Sequence, residues 1–253
     1  MDIFRYDFGY AWPWTYGHLI ASVVFCLLAW LAQGRKWPRS VISILILSAC
    51  WGVVGFGVVQ FALHANLPLH LPTERFFTQG RGRILDAGAG SGRSTLMVLL
   101  ARPESSVVAL DLYNGCCGIP DNTPARLTAN AQLAGVGGRL EVKVGDMRLM
   151  PFVSGSMDAA VSAFAIDHLD RKGIEMSLFE VARVLRPGGE FLLMVINNDA
   201  WIRTAYPFLI HHGYFGPKTN PERWENLLRN AGFEITESGT RPATLYLLAS
   251  KRR

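Results

Sequence analysis

The chain has 253 residues, of which 50% are hydrophobic and 18% are charged, and its mean hydropathy is +0.20. This composition excludes a disordered chain and is more apolar than that of an ordinary soluble enzyme, so it predicts one domain with an apolar extension. The formal net charge of +5 comes without a stripe of Lys and Arg, and it favours an anionic membrane surface over nucleic acid as a partner. The four cysteines form no disulfide framework, which favours a reducing compartment.

Two uncharged apolar stretches near the N-terminus predict a transmembrane helical hairpin over residues 1–63, with spans at about 12–32 and 41–63. A helix needs about 20 apolar residues to cross a hydrocarbon core roughly 30 Å thick. The second stretch meets this length by itself, and the first meets it when the aromatic residues before it form an interfacial belt. The alternatives are a hairpin packed on a soluble core and a signal peptide, although the acidic, aromatic N-terminus fits a signal peptide poorly.

Residues 64–80 contain two prolines and predict a linker. Within it we expect a short helix from Thr73, with Phe76 and Phe77 available to cover the site that follows.

From residue 81 to residue 253, β-type runs alternate with helical patterns. The predicted strands lie near 82–86, 106–111, 139–144, 157–163, 190–196, 232–238 and 243–250. The predicted helices lie near 92–101, 122–134, 173–185 and 221–231. This alternation predicts a Rossmann-like α/β domain with a mostly parallel sheet and helices on both faces. The last two strands are separated only by "SGTRP" and should form an antiparallel hairpin at one edge.

The segment "ILDAGAGSGRST" at residues 84–95 places a glycine-rich turn between a strand and a helix. Its spacing is G-x-G-x-G, where dinucleotide sites have G-x-G-x-x-G, and Asp86 would repel pyrophosphate but suits an ammonium or sulfonium group. Asp111, at the end of "SVVALD", can accept both hydrogen bonds of a ribose diol or can simply end a strand. In "KVGDMRLMPF", Asp146 can accept a proton from the amino group of adenine, or cap the following turn, and Met147 can pack on the base.

Together with "MDAAVSAFAIDHL" and "EVARVLRPGGEFLLMV", this ordered series resembles the class I S-adenosylmethionine-dependent methyltransferases. It looks most like the branch with the ubiquinone/menaquinone-biosynthesis C-methyltransferases and many small-molecule methyltransferases, and it covers roughly residues 75–250. The resemblance implies a seven-stranded sheet with an antiparallel last strand and S-adenosyl-L-methionine as the cofactor. The cofactor-binding residues that we predict are Asp86, Gly88, Gly90, Gly92, Asp111, Leu112, Asp146 and Met147.

The fourth predicted strand ends in "SAFAIDHLDR", where residues that face the methyl acceptor are expected. Asp167 and His168 are the catalytic candidates, since a base is needed when the acceptor loses a proton as it reacts; His168 can also simply shape the pocket wall. The Asn/Asp-Pro-Pro-aromatic run that nucleic-acid methyltransferases often carry here is missing, so we predict no nucleic-acid partner. Asp167 and "NND" at 197–199 distantly resemble a magnesium site, but the order differs and we predict no metal.

The segment 197–220 is long for a connection and rich in aromatic residues, as binding loops often are. We predict that it supplies the substrate-binding residues, which are Trp201, Tyr206, His211 and Tyr214. An aromatic loop in a membrane-tethered domain suggests a lipophilic acceptor. The adjacent Cys116 and Cys117 raise arsenite methylation as an alternative, which needs more thiolates than an adjacent pair provides.

The sequence therefore predicts a membrane-anchored S-adenosylmethionine-dependent methyltransferase that acts on a lipophilic small molecule or lipid. The alternatives are a non-catalytic S-adenosylmethionine-binding membrane assembly factor and an NAD(P)-dependent oxidoreductase. Ser48, Gly52 and Gly55 offer a close-packing face that either a homodimer or the hairpin itself can use.

The positive charges of the hairpin give two opposite orientations. The loop "GRKWPRS" would lie in the cytoplasm and leave the catalytic domain outside, whereas the arginines after the second span favour the reverse. Because the cofactor is cytosolic, we predict an integral membrane protein whose catalytic domain faces the cytoplasm.

Overall fold

The structure is a computed structural model, and it describes residues 5–115, 119–207 and 220–252. Its centre is a seven-stranded sheet built from the alternating segments that the sequence predicts. The strands are β1 Gly82–Ala87, β2 Ser105–Asp111, β3 Leu140–Val144, β4 Met157–Ala163, β5 Leu185–Ile196, β6 Phe233–Arg241 and β7 Thr244–Lys251. β5 begins earlier than predicted because it includes the "RPGG" turn.

The strand order is β3-β2-β1-β4-β5-β7-β6. β1 to β5 run parallel to their neighbours, and β7 lies antiparallel between β5 and β6. The predicted Rossmann-like sheet with an antiparallel last strand is confirmed. The strand order reverses between β1 and β4, and ligands of open α/β sheets bind beyond the carboxyl ends of the strands at such a point. We call this side the carboxyl end of the sheet, and the opposite side the amino end.

Helices cover both faces of the sheet, as predicted. The helices are α1 Trp12–Gly34, α2 Arg39–Gly57, α3 Arg93–Ala101, α4 Pro124–Leu133, α5 Arg171–Val184, α6 Ala200–Ala205 and α7 Pro221–Asn230. On one face, α5 and α7 bury Leu178 and Trp224 against the sheet. On the other face, α3 and α4 bury Leu96 and Ala131.

α1 and α2 pack against each other as a hairpin, and α2 continues through a π-helical turn, Val58–Ala62. Both helices are long and apolar enough to cross a membrane, and most of their side chains face away from the rest of the chain. The contact requires small residues, because a Cβ on Gly52 would lie 2.7 Å from the carbonyl oxygen of His18 and one on Gly55 2.3 Å from its ring. The small-residue face of α2 therefore packs against α1 within the hairpin.

The hairpin docks beside the carboxyl end of the sheet through α6, which follows β5. The ring of His18 donates from Nε2 to the carbonyl of Ala205, and the indole N–H of Trp51 donates to the carbonyl of Thr204 at 3.0 Å. These bonds pair carbonyl groups at the end of α6 that have no helical partner. An apolar cluster completes the junction: Val58, Val59, Ile202, Ala205, Tyr206 and Ala243.

The first described residues depart from the predicted boundaries. We assigned residues 1–63 as a whole to the hairpin, but the segment before α1 packs on the α/β domain. Phe8 is 2% exposed in the core cluster that contains α3. The side-chain amide of Asn130 in α4 makes two hydrogen bonds with the backbone of Asp7. Its oxygen accepts the N–H of Asp7 at 3.2 Å, and its NH₂ group donates to the carbonyl of Asp7 at 2.8 Å.

The linker also departs from the prediction, since residues 74–79 form turns and not a helix. The guanidinium of Arg102 donates to the carbonyl groups of Glu74 and Phe76, so these carbonyl groups pair with a side chain and not with the backbone of a helix. Phe76 and Phe77 are fully buried in the core, and Phe77 donates its N–H to Glu190 at 2.7 Å at the amino end of the sheet. The predicted short helix is therefore wrong, and its phenylalanines do not cover a site at the carboxyl end.

Candidate active site

The glycine-rich turn joins the end of β1 to the start of α3. Its three glycines have positive φ, which is +81° at Gly88, +54° at Gly90 and +99° at Gly92. A Cβ on Gly88 would lie 2.3 Å from the Cβ of Ala165 and 2.7 Å from the Cε of Met147. Glycine is thus required at this position both by the backbone conformation and by the close approach of the segment after β4.

Asp111, the last residue of β2, ties the turn to the neighbouring strand. One carboxylate oxygen accepts the N–H of Gly90 at 2.9 Å. The other accepts the N–H of Tyr113 at 2.8 Å and the side-chain amide of Asn122 at 3.1 Å. The carboxylate is therefore held beside the turn, and Leu112, 46% exposed, follows it at the mouth of the site.

Asp86 is completely buried beneath the turn. Its Oδ2 accepts hydrogen bonds from the hydroxyls of Ser94 at 2.8 Å and Thr95 at 2.6 Å, which fixes the first turn of α3. Burial raises the pKa of Asp86 to about 6, against the effect of those two hydroxyls. A cationic group near this carboxyl would restore its charged form.

Several buried polar atoms around the turn have no hydrogen-bond partner among the described residues. They are Oδ1 of Asp86, Oγ of Ser91, Oη of Tyr113 and Oδ1 of Asn122. Burial, with the nearby carboxylates, raises the pKa of Tyr113 above its usual range, so its hydroxyl stays a donor. Because buried polar groups are nearly always paired, this cluster indicates a polar ligand. Its acceptors and hydroxyls fit the ammonium and ribose hydroxyl groups of S-adenosylmethionine.

Asp146 and Met147 follow β3, and their side chains have different surroundings. The side chain of Met147 lies against Gly88 and is in place to frame a bound base. The carboxylate of Asp146 is taken by Arg148, whose guanidinium lies at 2.7 Å and whose N–H donates at 2.8 Å. These hydrogen bonds lower the pKa of Asp146. Sequence reasoning did not identify Arg148, which shares the carboxylate that we expected to be free for adenine.

Asp167 and His168 lie in the turn after β4, beside the glycine turn. Asp167 accepts the N–H of Ile196, at the end of β5, at 2.9 Å, and its other oxygen is buried with no partner among the described residues. Burial raises the pKa of Asp167, and His168 opposes this shift. Phe164, just before them, has φ of +53°, a strained conformation that clusters at functional sites.

Two of the four predicted substrate-binding residues lie in the described part of the chain. Trp201 is 46% exposed on α6. Tyr206 is 9% exposed, and its hydroxyl donates to the carbonyl of Trp14 at 2.7 Å, so it packs at the junction with the hairpin. His211 and Tyr214 lie outside the described residues.

Asp199, in the "NND" segment, caps a helix. One oxygen accepts the N–H of Trp201 at 2.9 Å, and the other accepts the N–H of Ala243 at 2.8 Å. Within the described ranges, no three His, Cys, Asp or Glu side chains gather as a metal site. Cys116 and Cys117 lie outside those ranges.

A cleft beside the glycine turn contains residues that sequence reasoning missed. Phe8 and Tyr10 of the N-terminal segment, Leu69 of the linker and Phe164 line it with the turn itself. The aromatic run "DFGYAWPW" was the available signal, and we interpreted its aromatic residues as a membrane belt. The cleft lining therefore combines the glycine turn and the polar residues Arg93 and Ser94 with apolar and aromatic side chains.

Comparison with known families gives a match over this part of the chain. Residues 84–189 match the family model described as a methyltransferase domain. The match contains the glycine turn and the candidate residues at the ends of β2, β3 and β4. This part of the chain is therefore similar to a methyltransferase domain. The family match and the relatives below support a class I S-adenosylmethionine-dependent methyltransferase, with S-adenosylmethionine as its cofactor.

The methyltransferase domain has relatives among the ubiquinone/menaquinone biosynthesis C-methyltransferases UbiE. The protein from Syntrophotalea carbinolica is 32% identical over 121 residues, covering 47% of this chain and 46% of the relative. The protein from Methylobacterium nodulans is 35% identical over 117 residues, covering 46% of this chain and 42% of the relative. The chain thus matches less than half the length of these two relatives.

A solved structure shares the fold. It is the Burkholderia thailandensis 1,6-didemethyltoxoflavin-N1-methyltransferase with bound 1,6-didemethyltoxoflavin and S-adenosylhomocysteine. The sequence identity is 20%, the TM-score is 0.51, and the match covers 78% of this chain and 77% of that one.

Proposed function

We propose that the chain is a membrane-anchored S-adenosylmethionine-dependent methyltransferase whose acceptor is a lipophilic small molecule or lipid. The observation that carries the proposal is the group of buried polar atoms without a partner among the described residues around the glycine turn, next to an aromatic cleft that the segment before the hairpin helps to line. The relatives are named for the biosynthesis of quinones, which are lipophilic, and this supports the class of acceptor.

On the polar side, we propose tasks for four of the predicted cofactor-binding residues. When bound, S-adenosylmethionine supplies an electrophilic methyl group on a sulfonium. Asp86 stabilises the positively charged part of the cofactor through its unpaired Oδ1. Asp111 accepts the ribose hydroxyls, and Leu112 and Met147 pack on the base.

On the acceptor side, the protein positions the acceptor and keeps the cleft dry, since methyl transfer is an in-line displacement. Where the acceptor loses a proton, His168 is the group we propose to accept it. Asp167 accepts the N–H of Ile196 at the end of β5 and directly precedes His168, so it is proposed to hold the turn that carries His168 in place.

The hairpin places the cleft next to the membrane in this proposal. The segment before α1 and the turn after α2 both lie at the cleft, so a bilayer around the hairpin would begin close to the acceptor side. The faces of α1 and α2 turned away from the chain carry large exposed apolar side chains, including Val23, Leu27, Trp30 and Leu47. A lipophilic acceptor could then reach the cleft without crossing water.

Cofactor binding and turnover are tested on the detergent-purified full chain. Calorimetric titration should give micromolar binding of S-adenosylmethionine, no binding of NADH, and weaker cofactor binding by Asp111→Ala. Radiolabelled methyl groups should pass from the cofactor into a solvent-extractable fraction of membrane lipids. A folded protein that binds no S-adenosylmethionine contradicts the proposal. Binding without any methyl transfer favours the non-catalytic assembly factor.

The role of His168 has its own test. His168→Gln should lower kcat with little change in cofactor affinity, because the acceptor loses the group that takes its proton. Asp167→Asn should lower kcat by less and leave activity measurable. If His168→Gln retains the full rate, the residue only shapes the wall.

The cytoplasmic orientation is a separate part of the proposal, because the charges of the hairpin divide between the two sides. A single cysteine at Lys36, in a chain without its native cysteines, reports the side on which the hairpin loop lies. Labelling by an impermeant maleimide added to intact cells supports a cytoplasmic domain. Labelling only after the membrane is opened would place the domain outside.

A further inference from the structure

Arg93 joins the glycine turn to the hairpin. It is the first residue of α3, directly after Gly92 of the turn. A cation at this position opposes the dipole of the helix, whose N-terminus is positive, so the residue does not stabilise α3 through its charge. Its side chain instead reaches away from the helix, towards both ends of the hairpin.

The guanidinium of Arg93 binds four acceptors. It donates to the carbonyl groups of Leu63 at 2.6 Å, His64 at 2.8 Å and Leu67 at 3.3 Å, just after α2 and its π-helical turn. It also donates to the hydroxyl of Tyr10 at 3.1 Å, just before α1, and lies 5.6 Å from the centre of that ring. One side chain thus holds both ends of the hairpin.

These contacts match the chemistry of the guanidinium group. Carbonyl groups at the end of a helix lack helical partners, and a fork of five N–H donors can satisfy several of them. The backbone adds a second connection, because the N–H of Leu69 donates to the carbonyl of Arg93 at 3.3 Å. Leu69 and Tyr10 also line the cleft, so a shift of the hairpin would move the turn and the cleft wall together.

We infer that Arg93 is the positioning residue through which the hairpin sets the glycine turn for cofactor binding. The hairpin is then a part of the cofactor site and more than a tether. This inference rests on the proposed function, since it concerns the affinity for S-adenosylmethionine. Arg93 also lines the cleft, but its guanidinium donates to the hairpin and Tyr10, so we infer that it acts through the turn and not by binding the cofactor itself.

The same helix offers a matched control at its other end. Arg102 follows α3 and binds the carbonyl of Phe76 at 2.6 Å and that of Glu74 at 2.8 Å. It therefore makes the same kind of contact to the linker, but at the amino end of the sheet, away from the turn. Loss of either arginine should reduce stability, while only loss of Arg93 should weaken cofactor binding.

The first experiment compares Arg93→Gln, Arg93→Lys and Arg102→Gln with the unaltered chain by calorimetry and thermal unfolding. Both Arg93 variants should raise the Kd for S-adenosylmethionine by about tenfold, which lies within the usual range of coupling between sites. Arg102→Gln should lower Tm and leave Kd within about twofold of the unaltered value, since sites that share no partners act independently. Arg93→Lys keeps the charge and serves if the Gln variant does not fold.

The outcomes separate this inference from the proposed function. No cofactor binding by the unaltered chain overturns both. If the unaltered chain binds the cofactor and Arg93→Lys binds it equally well, the role of Arg93 is overturned and the proposed function stands. The same holds if Arg93→Gln and Arg102→Gln raise Kd equally.

Two further readouts would not respond to a merely structural role. Tyr10→Phe should raise Kd in the unaltered chain but not in Arg93→Lys, because both changes break the same contact. Cofactor binding should slow amide hydrogen exchange over residues 63–69 in the unaltered chain and in Arg102→Gln, but not in Arg93→Lys, because coupling is reciprocal. The inference is contradicted if Tyr10→Phe changes Kd equally in the unaltered chain and in Arg93→Lys. It is also contradicted if the cofactor leaves amide hydrogen exchange over residues 63–69 unchanged in the unaltered chain.

Discussion

Asp158 at the amino end of the sheet is paired differently from Asp86 and Asp167 at the carboxyl end. At the amino end, both oxygens of Asp158 have partners, the N–H of Arg83 at 2.7 Å and the guanidinium of Arg186 at 2.7 Å. At the carboxyl end, Asp86 and Asp167 each keep one buried oxygen without a partner among the described residues. The two ends belong to one sheet, so the difference is not a matter of fold.

The difference separates residues that hold the structure from residues that await a ligand. A buried carboxylate without full pairing costs stability, so it persists where another group supplies the missing contacts. Changes at the amino end should therefore affect stability, and changes at the carboxyl end should affect cofactor binding.

The largest effect is expected for Gly88→Ala. The new Cβ would lie 2.3 Å from the Cβ of Ala165, in a backbone conformation with φ of +81°. We expect a loss of roughly 3 kcal/mol in the free energy of unfolding and no measurable cofactor binding. Urea unfolding and calorimetry measure the two quantities. Gly138→Ala, where no atom lies within 4 Å of the new Cβ, is the control and should leave cofactor binding unchanged.

The next prediction exchanges one carboxylate at each end of the sheet. Asp158→Asn breaks an ion pair at the amino end and should lower the free energy of unfolding by about 1–2 kcal/mol, with an unchanged Kd for S-adenosylmethionine. Asp111→Asn should raise that Kd by roughly tenfold or more, because a ribose-binding acceptor loses its charge. Thermal unfolding and calorimetry on both variants provide the comparison. A rise in Kd for Asp158→Asn alone would reverse the assignment of the two ends.

A third prediction concerns pH and Asp86. Folding raises the pKa of this carboxyl from 3.8 to about 6, so the folded state binds the proton more tightly than the unfolded state. The stability contributed by that proton is fully present below pH 3.8 and is lost as the pH rises through about 6. Relative to Asp86→Asn, the unaltered chain should lose up to about 3 kcal/mol between pH 4 and pH 7.

Cofactor affinity should follow the charge of the same group. Since a cationic ligand favours the carboxylate, Kd should rise as the pH falls below 6 in the unaltered chain and stay flat in Asp86→Asn. Urea unfolding and calorimetry over a pH series test both statements. Parallel pH curves for the two proteins would show that Asp86 does not titrate in this range.

The smallest effect is expected for Leu112→Ala. Leu112 is 46% exposed beside Asp111, and its contact with a bound base should contribute about 1 kcal/mol, or roughly a fivefold rise in Kd on truncation. Leu100→Ala is the control, because that leucine is 50% exposed and lies near the end of α3 that is opposite the glycine turn. Calorimetry decides, and equal Kd values for the two variants would remove Leu112 from the site.

Much of the α/β domain followed from local pattern. Strands β1 to β7 and helices α3, α4, α5 and α7 lie close to their predicted positions because the alternation of apolar residues differs between a strand and a helix. The short helix α6, Ala200–Ala205, lies in a segment that we predicted as a loop. The site followed from sequence where spacing along the chain carries the information. The glycine turn is the example, since three closely spaced glycines predict positive φ whatever the rest of the fold does.

The predictions failed where a distant residue changed the local outcome. Phe76 and Phe77 were expected on a short helix over the site, but Arg102 binds the carbonyl of Phe76 and the core accepts both rings. Local pattern also gave no sign that the hydroxyl of Tyr206 donates a hydrogen bond to the carbonyl of Trp14 in the hairpin.

By itself, the sequence determined the strand and helix order, the glycine turn, and the two apolar helices, since each depends on residues within a few positions of one another. Only the tertiary structure decided that the N-terminal segment lines the cleft and that Arg93 joins the glycine turn to both ends of the hairpin. These contacts join residues that are far apart along the chain. No local spacing encodes such a contact, because packing of the whole domain brings its partners together.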